Sequence, residues 1–330
     1  MRYSGIGGQA VLEGVMMKNQ EKYAVAVRKP DQEIVVEISE YNGLIQNKKI
    51  RNMPILRGVF SFIESLALGM QILTFSASFF EDEEEAKKSA VAKERRAQNQ
   101  AKKAGRARTE GEAARQEKWE KKKENFRMWA TVALSIVLAV AIFMVLPYYI
   151  SVFLQRFIPS QAVITLLEGV IRLTIFVGYV AAISLMPDIR RVYMYHGAEH
   201  KCINCIEHGM ELNIENVRSS SKQHKRCGTS FLLIVMLISI VFFMFIRVDS
   251  GILRLLFRIL LIPVIAGVSY EFIRVAGRSD SALVNFLSRP GMWMQNLTTK
   301  EPDDAMIEVG IASVEAVFDW RSYVAEMRSQ

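Results

Sequence analysis

Apolar and polar positions divide this chain into blocks of very different character. Two long uncharged apolar runs lie in Trp129–Leu154 and Ser230–Ile246 and carry the strongest membrane-span signal. Ala162–Met186 and about Gly251–Val275 are also apolar but contain charge. Glu168 and Arg172 are spaced i,i+4, so they can pair on one helical face instead of meeting lipid separately. Arg254, Arg258, Glu271 and Arg274 lie toward the ends of the last segment, where long side chains can snorkel. These four segments predict two transmembrane hairpins. A fifth apolar stretch, Val59–Phe80, reads differently. Its uncharged part, Ser65–Phe80, is 16 residues, short of the ~20 a helix needs to cross a bilayer. Arg57 and Glu64 make a deeper crossing costly. The segment is expected to be a re-entrant or interfacial helix, or to pack against the bundle.

The remaining blocks read as soluble. Tyr23–Arg28 and Glu33–Ile38 are β-branched runs separated by Lys-Pro-Asp-Gln, which predicts a β-hairpin. Gly5-Ile-Gly-Gly8 admits two readings, a loop that approaches a ligand or a simple turn. Residues 81–127 hold 15 Lys and Arg against 11 Asp and Glu and too few large apolar residues to bury a core. They are expected to form an exposed, partly helical linker. Glu301-Pro-Asp-Asp304 opens a helix whose apolar face is Met306, Val309, Ile311, Val314 and Val317. The resulting fold class is an α-helical membrane protein, with four transmembrane helices and one re-entrant or interfacial helix. It carries a small α+β cytoplasmic domain assembled from the N-terminal, central and C-terminal segments. The blocks run 1–53, 54–80, 81–127, 128–186, 187–229, 230–276 and 277–330.

Charge placement sets the expected orientation. The tract before the first span holds 15 basic residues and the loop 187–229 holds seven, whereas loops 155–161 and 247–250 hold one each. By the positive-inside rule, both termini and the central loop face the cytoplasm of a multi-pass membrane protein. The formal net charge of +8 is then read as topology and lipid contact, and no specific nucleic acid is expected. The partners expected are the lipid bilayer and, on one reading, a membrane-protein complex. Met1–Lys18 lacks the unbroken apolar core of a secretory signal.

The candidate chemistry is concentrated. All four histidines and all three cysteines lie between His196 and Cys227. His196-Gly-Ala-Glu199-His200 has the form H-x-x-E-H, which on a helix offers two imidazoles to one ion with a carboxylate beside them. A helix from Asp188 to Gly209 places His196, Glu199, His200, Ile203 and Glu207 on one broad face. Cys205 falls on the opposite side, and Cys202 and His208 fall on the flanks. Further ligand candidates are Glu207, His224 and Cys227, the last two in a segment that returns to the same membrane surface. A His/His/Cys set with an open position suits zinc or another divalent transition metal, and Glu199 would accept a proton. A set completed by a third histidine would be closed and structural.

Several blocks together resemble a known family. GGQAVLEGVMMK at 7–18, RGVFSFIESLALG at 57–69, YHGAEHKCINCIE at 195–207, HKRCGTSF at 224–231 and PGMWMQNLTTKEPDD at 290–304 resemble the blocks of the YqhQ-like family. The resemblance implies an uncharacterised, metal-dependent bacterial membrane protein and supplies no reaction. Its motif histidines and acids correspond here to His196, Glu199, His200, Glu207 and His224, with Cys227 alongside. Cys202 and Cys205 are less typical of it, while Glu13 and Glu64 lie in its blocks. Two functions stand side by side. One is a metal-dependent hydrolase at the membrane surface, with Glu199 as base. The other is a non-catalytic assembly or interaction protein with a structural zinc.

Overall fold

The computed structural model describes residues 2–41, 43, 53–100, 119, 126, 129–246, 248, 250–276 and 281–329, with backbone alone at 81–100 and 255. Most of the charged tract 81–127 therefore lies outside the described residues, as do 44–52 and 277–280. The chain forms two compact units, Met1–Phe80 with Val177–Gln330, and Glu81–Phe176.

The smaller unit contains helix α2 (Trp129–Leu154) and the first part of α3 (Gln161–Ile183). The Glu168–Arg172 pair expected from the spacing is present at 2.8 Å. Ser151 also donates to Glu168, and Arg172 Nε donates to the Phe143 carbonyl at 3.0 Å. Phe143 sits in a π-helical turn, Ala141–Val145, where the backbone ladder is widened. These partners satisfy two charges that would otherwise be expensive on apolar helices.

The larger unit is built on an antiparallel sheet in the order β1 (Ile6–Val11), β2 (Gly14–Asn19), β3 (Lys22–Arg28) and β4 (Ile34–Glu40). The expected hairpin is β3–β4. The β1–β2 hairpin was not legible, because its Leu12-Glu13 turn carries no glycine or asparagine. Glu13 itself takes the positive φ of 49°. The central strands are buried on both faces. On one face Ile6, Val15, Met17 and Ala26 share a core with α4 (Pro187–Glu207) and α9 (Asp304–Val317), through Tyr195, Ala198, Ile203, Met306, Ile307 and Val314. On the other, Val11, Met16, Tyr23, Val25 and Val27 pack on Leu68 and Ile72 of α1 (Leu56–Gln100). The remaining helices are α5 (Ile214–Ser219), α6 (Gly228–Met244), α7 (Gly251–Ala276), α8 (Ala282–Thr298) and α10 (Trp320–Arg328).

Among the described residues, four helical stretches are long and apolar enough to cross a membrane: Leu56–Phe80, Trp129–Leu154, Gln161–Ile183 and Gly251–Ala276. Their membership differs from the sequence expectation at two places, since α6 (Gly228–Met244) is not among them and the start of α1 is. Helix α6 has 17 residues, about 25 Å at ~1.5 Å per residue, against a hydrocarbon core of ~30 Å. Helix α1 reaches spanning length because it starts at Leu56, not Ser65. Its Arg57 makes a two-pronged ion pair with Glu271 of α7, so the charge that argued against a deep helix is neutralised. Much of the apolarity of α1 serves the sheet, since Leu68 and Ile72 cover it. Ile63, Leu66, Met70 and Leu73 remain exposed.

Candidate metal centre

Helix α4 presents the site. Its N-cap is Met186, one residue before Pro187, and Asp188 lies in the first turn instead of capping. Gly209, at φ 73°, follows the helix end. One turn separates His196 from His200, and their ring centroids are 4.4 Å apart. Each ring is held by its other nitrogen. His196 Nδ1 donates to the Thr298 carbonyl at 2.9 Å, and His200 Nδ1 donates to the Lys222 carbonyl at 2.7 Å. A carbonyl only accepts, so Nδ1 carries a proton in both rings, and Nε2 is the nitrogen left to ligate an ion once it has no proton of its own. Cys227 Sγ lies 3.3 Å from His196 Nε2. Ligand atoms of His196, His200 and Cys227 all fall within 4.8 Å of one another. Tetrahedral zinc would hold a nitrogen and a sulfur about 3.5 Å apart, so the His196–Cys227 spacing suits such an ion and His200 lies close enough to join it.

The segment carrying Cys227 is fastened to α4 by the helix's own polar side chains. Lys201 Nζ donates to the Arg218 and Ser220 carbonyls, and Asn204 Nδ2 donates to those of Ser221 and Gln223. From the other side the fully buried Gln295 of α8 clamps His224, accepting from its backbone N–H at 2.8 Å and donating to its carbonyl at 2.7 Å. Gly197 allows the C-terminal segment to cross α4, because a Cβ there would overlap the Lys300 carbonyl oxygen.

The other sequence candidates take different places. Glu199 is buried between the two histidines, with Oε2 4.0 Å from His196 Nε2 and without a hydrogen-bond partner. The Gly8 backbone N–H is directed at its carboxylate, and a side chain at Gly8 would come within 2.7 Å of Glu199 Cγ. Glu207 is also buried but lies outside the pocket lining. It accepts from the Ser4 backbone N–H and hydroxyl at 2.9 and 2.7 Å and from Arg226. His224 lines the pocket, yet its Nε2 lies 3.4 Å from Glu207 Oε2 and 3.2 Å from an Arg226 nitrogen. The geometry thus gathers His196, His200, Cys227 and Glu199 and ties Glu207 and His224 to Arg226.

Charge and burial shift these groups in opposite directions. Burial resists the cationic form of His196, but Cys227 and then Glu199 overcome it and raise its pKa to about 9. Burial likewise opposes the Cys227 thiolate, but the two histidines hold its pKa well below the usual thiol range. Burial raises the Glu199 carboxyl. Cys202 and Cys205 sit in the apolar core, where burial raises both thiols, Cys205 to about 11.

A cavity of about 240 Å³ opens over the cluster, walled by His196, Glu199, His200, His224, Arg226 and Cys227 together with Gly5, Gly7, Gly8 and Gly228. The glycines at 5, 7 and 8 line this pocket, and Gly7 and Gly8 belong to strand β1, so they do not form a simple turn. Sequence spacing missed Ser4, Gln295 and the carbonyls of Lys222 and Thr298. The 290–304 block was noticed, but backbone acceptors leave no side-chain signature.

Comparison with known proteins agrees with this arrangement in extent, though it adds no chemistry. No solved structure matches the chain. It is 31% identical over 312 residues to a Bacillus subtilis (strain 168) protein described as "Uncharacterized protein YqhQ", covering 93% of this chain and 90% of that one. A family model described as "Protein of unknown function (DUF1385)" matches residues 53–320, a span that takes in the histidine helix, the Cys227 segment and the Gln295 clamp. The chain therefore belongs to the DUF1385 family.

Proposed function

We propose that this protein is a metal-dependent hydrolase working at a membrane surface, with His196, His200 and Cys227 as ligands and Glu199 as general base. One observation carries the reading. Three donors lie within 4.8 Å of one another, and Glu199, whose buried Oε2 has no hydrogen-bond partner, lines the same pocket. A divalent ion such as zinc would supply Lewis acidity toward a substrate carbonyl or phosphoryl oxygen. Glu199 would take the proton of an attacking water, and the Gly8 N–H would hold its second oxygen in place. The Thr298 and Lys222 carbonyls would keep both imidazoles in the ligating tautomer.

A closed structural zinc site needs a fourth protein donor. With Glu199 assigned as the base, His224 is the other candidate, but its Nε2 already faces Glu207 and Arg226. The open reading is therefore better supported than the assembly role. The cluster lies at the start of apolar α6, with Cys227 as its N-cap, which supports a site beside the bilayer. The excess of basic residues in the flanking segments supports the cytoplasmic side.

Metal analysis of the purified full chain, with X-ray absorption at the zinc edge, tests this. The expected result is one ion per chain bound by one sulfur, two imidazoles and one light atom. A chain without stoichiometric metal, or one with four protein donors, would sink the proposal.

A further inference from the structure

We propose that the pocket takes a phosphate group and that Arg226 is its anchor. This names the substrate class of the same pocket and rests on the hydrolase reading for its reaction. The starting point is a guanidinium held rigidly with one arm idle. Arg226 is fixed by the Glu207 carboxylate and by the Tyr3 ring, whose centroid is 3.9 Å from the guanidinium carbon. Those contacts employ one terminal nitrogen and one face of the group. The other terminal nitrogen, Nη1, is buried and has no hydrogen-bond partner. Buried donors are nearly always paired, so an unpartnered guanidinium arm on a residue that lines a pocket points to a ligand as its acceptor. Arg226 and the three-donor cluster line the same cavity.

The chemistry of the missing acceptor follows from the donors. A guanidinium arm prefers an anionic oxygen, and a metal at the cluster would prefer another oxygen of the same group. Phosphate offers several oxygens on one tetrahedral centre and so can bridge the two. The wall between them is open. A Cβ at Gly228 would meet nothing within 4 Å, and the same holds for Gly5 and Gly7, so a compact tetrahedral anion can approach the backbone. A cavity of about 240 Å³ admits a headgroup but not a folded chain. Glu207 gains a role as well, since its buried charge fixes the guanidinium instead of meeting the metal.

The phosphate could belong to a lipid headgroup or to a soluble ester, and two probes separate these sources. Zinc-loaded full-length protein in maltoside detergent would be titrated calorimetrically with inorganic phosphate and with dihexanoyl phosphatidic acid. The comparison is wild type against Arg226→Lys, which keeps a cation for Glu207 but removes the idle arm. Binding of at least one probe, weakened about tenfold by Arg226→Lys at unchanged zinc content, is expected. The better-bound probe identifies the source. Tyr3→Ala, which loosens the guanidinium without touching its ion pair, should weaken binding about threefold. It serves as the test should Arg226→Lys fail to fold. No binding of either probe at millimolar concentration overturns the inference, as does binding that neither variant weakens. Stoichiometric zinc without phosphate binding removes this inference alone. Arg226-dependent phosphate binding in a chain that takes up no zinc removes the hydrolase reading alone.

Discussion

Glu199 and Glu207 stand eight positions apart on one helix, and both are almost completely buried, 5% and 0% exposed. Their surroundings differ in kind. Glu207 is met by two donors from Ser4, by Arg226 and by His224, and despite the opposing effect of burial these partners lower its pKa to about 2. Glu199 keeps an oxygen without a partner and is shifted upward by burial. A buried carboxylate is therefore not by itself a sign of chemistry. A full set of partners marks an anchor, and an incomplete set beside ligand-ready nitrogens marks a site.

The contrast can be broken most severely at the anchor. Glu207→Gln would leave the Arg226 cation without its counter-charge, and stability should fall by about 3–5 kcal/mol, read by chemical denaturation. Its pH dependence has a defined sign. The folded pKa of about 2 lies below the ~4.3 of an unfolded glutamate. The stabilisation is then complete above about pH 4.3 and is lost as pH falls toward 2. Wild type should show this acid-side decline and Glu207→Gln should lack that portion; identical acid profiles would refute the anchor role.

A smaller effect is expected at the crossing that orients the site. Gly197→Ala would push its Cβ against the Lys300 carbonyl, costing about 1–3 kcal/mol. It would also displace the neighbouring Thr298 carbonyl, so zinc affinity should drop about 10–100-fold. Competition with a chromogenic chelator measures this, and unchanged affinity would show that the carbonyl does not orient His196.

Least stability change is expected at Glu199. Glu199→Gln removes a charge that burial opposes, so stability should stay within about 1 kcal/mol of wild type or rise. Metal content should be unchanged. Loss of zinc in this variant would make Glu199 a ligand and remove it as base.

Much of this was readable in one dimension. The H-x-x-E-H spacing places both imidazoles on one face through helical periodicity alone. The i,i+4 spacing of Glu168 and Arg172 announced their pair, and β-branched runs announced β3 and β4. In each case the interacting groups are near neighbours in sequence, where local geometry decides. Helix α1 shows where that logic stops. Its Arg57 argued for a shallow segment, but Glu271 lies 214 positions away, and the use of Leu68 and Ile72 by the sheet has no local mark.

The amino-acid order by itself determined where apolar length accumulates and which side chains could ligate, because both follow from composition and helical pitch. Only the tertiary structure decided which candidates meet. Cys227 joins the histidines because Lys201, Asn204 and Gln295 hold the return segment against α4. Glu207 and His224, equal candidates by type and spacing, are drawn instead to Arg226 and Ser4. Partner choice depends on distances between remote segments, and a string of residues does not contain those distances until the chain has packed.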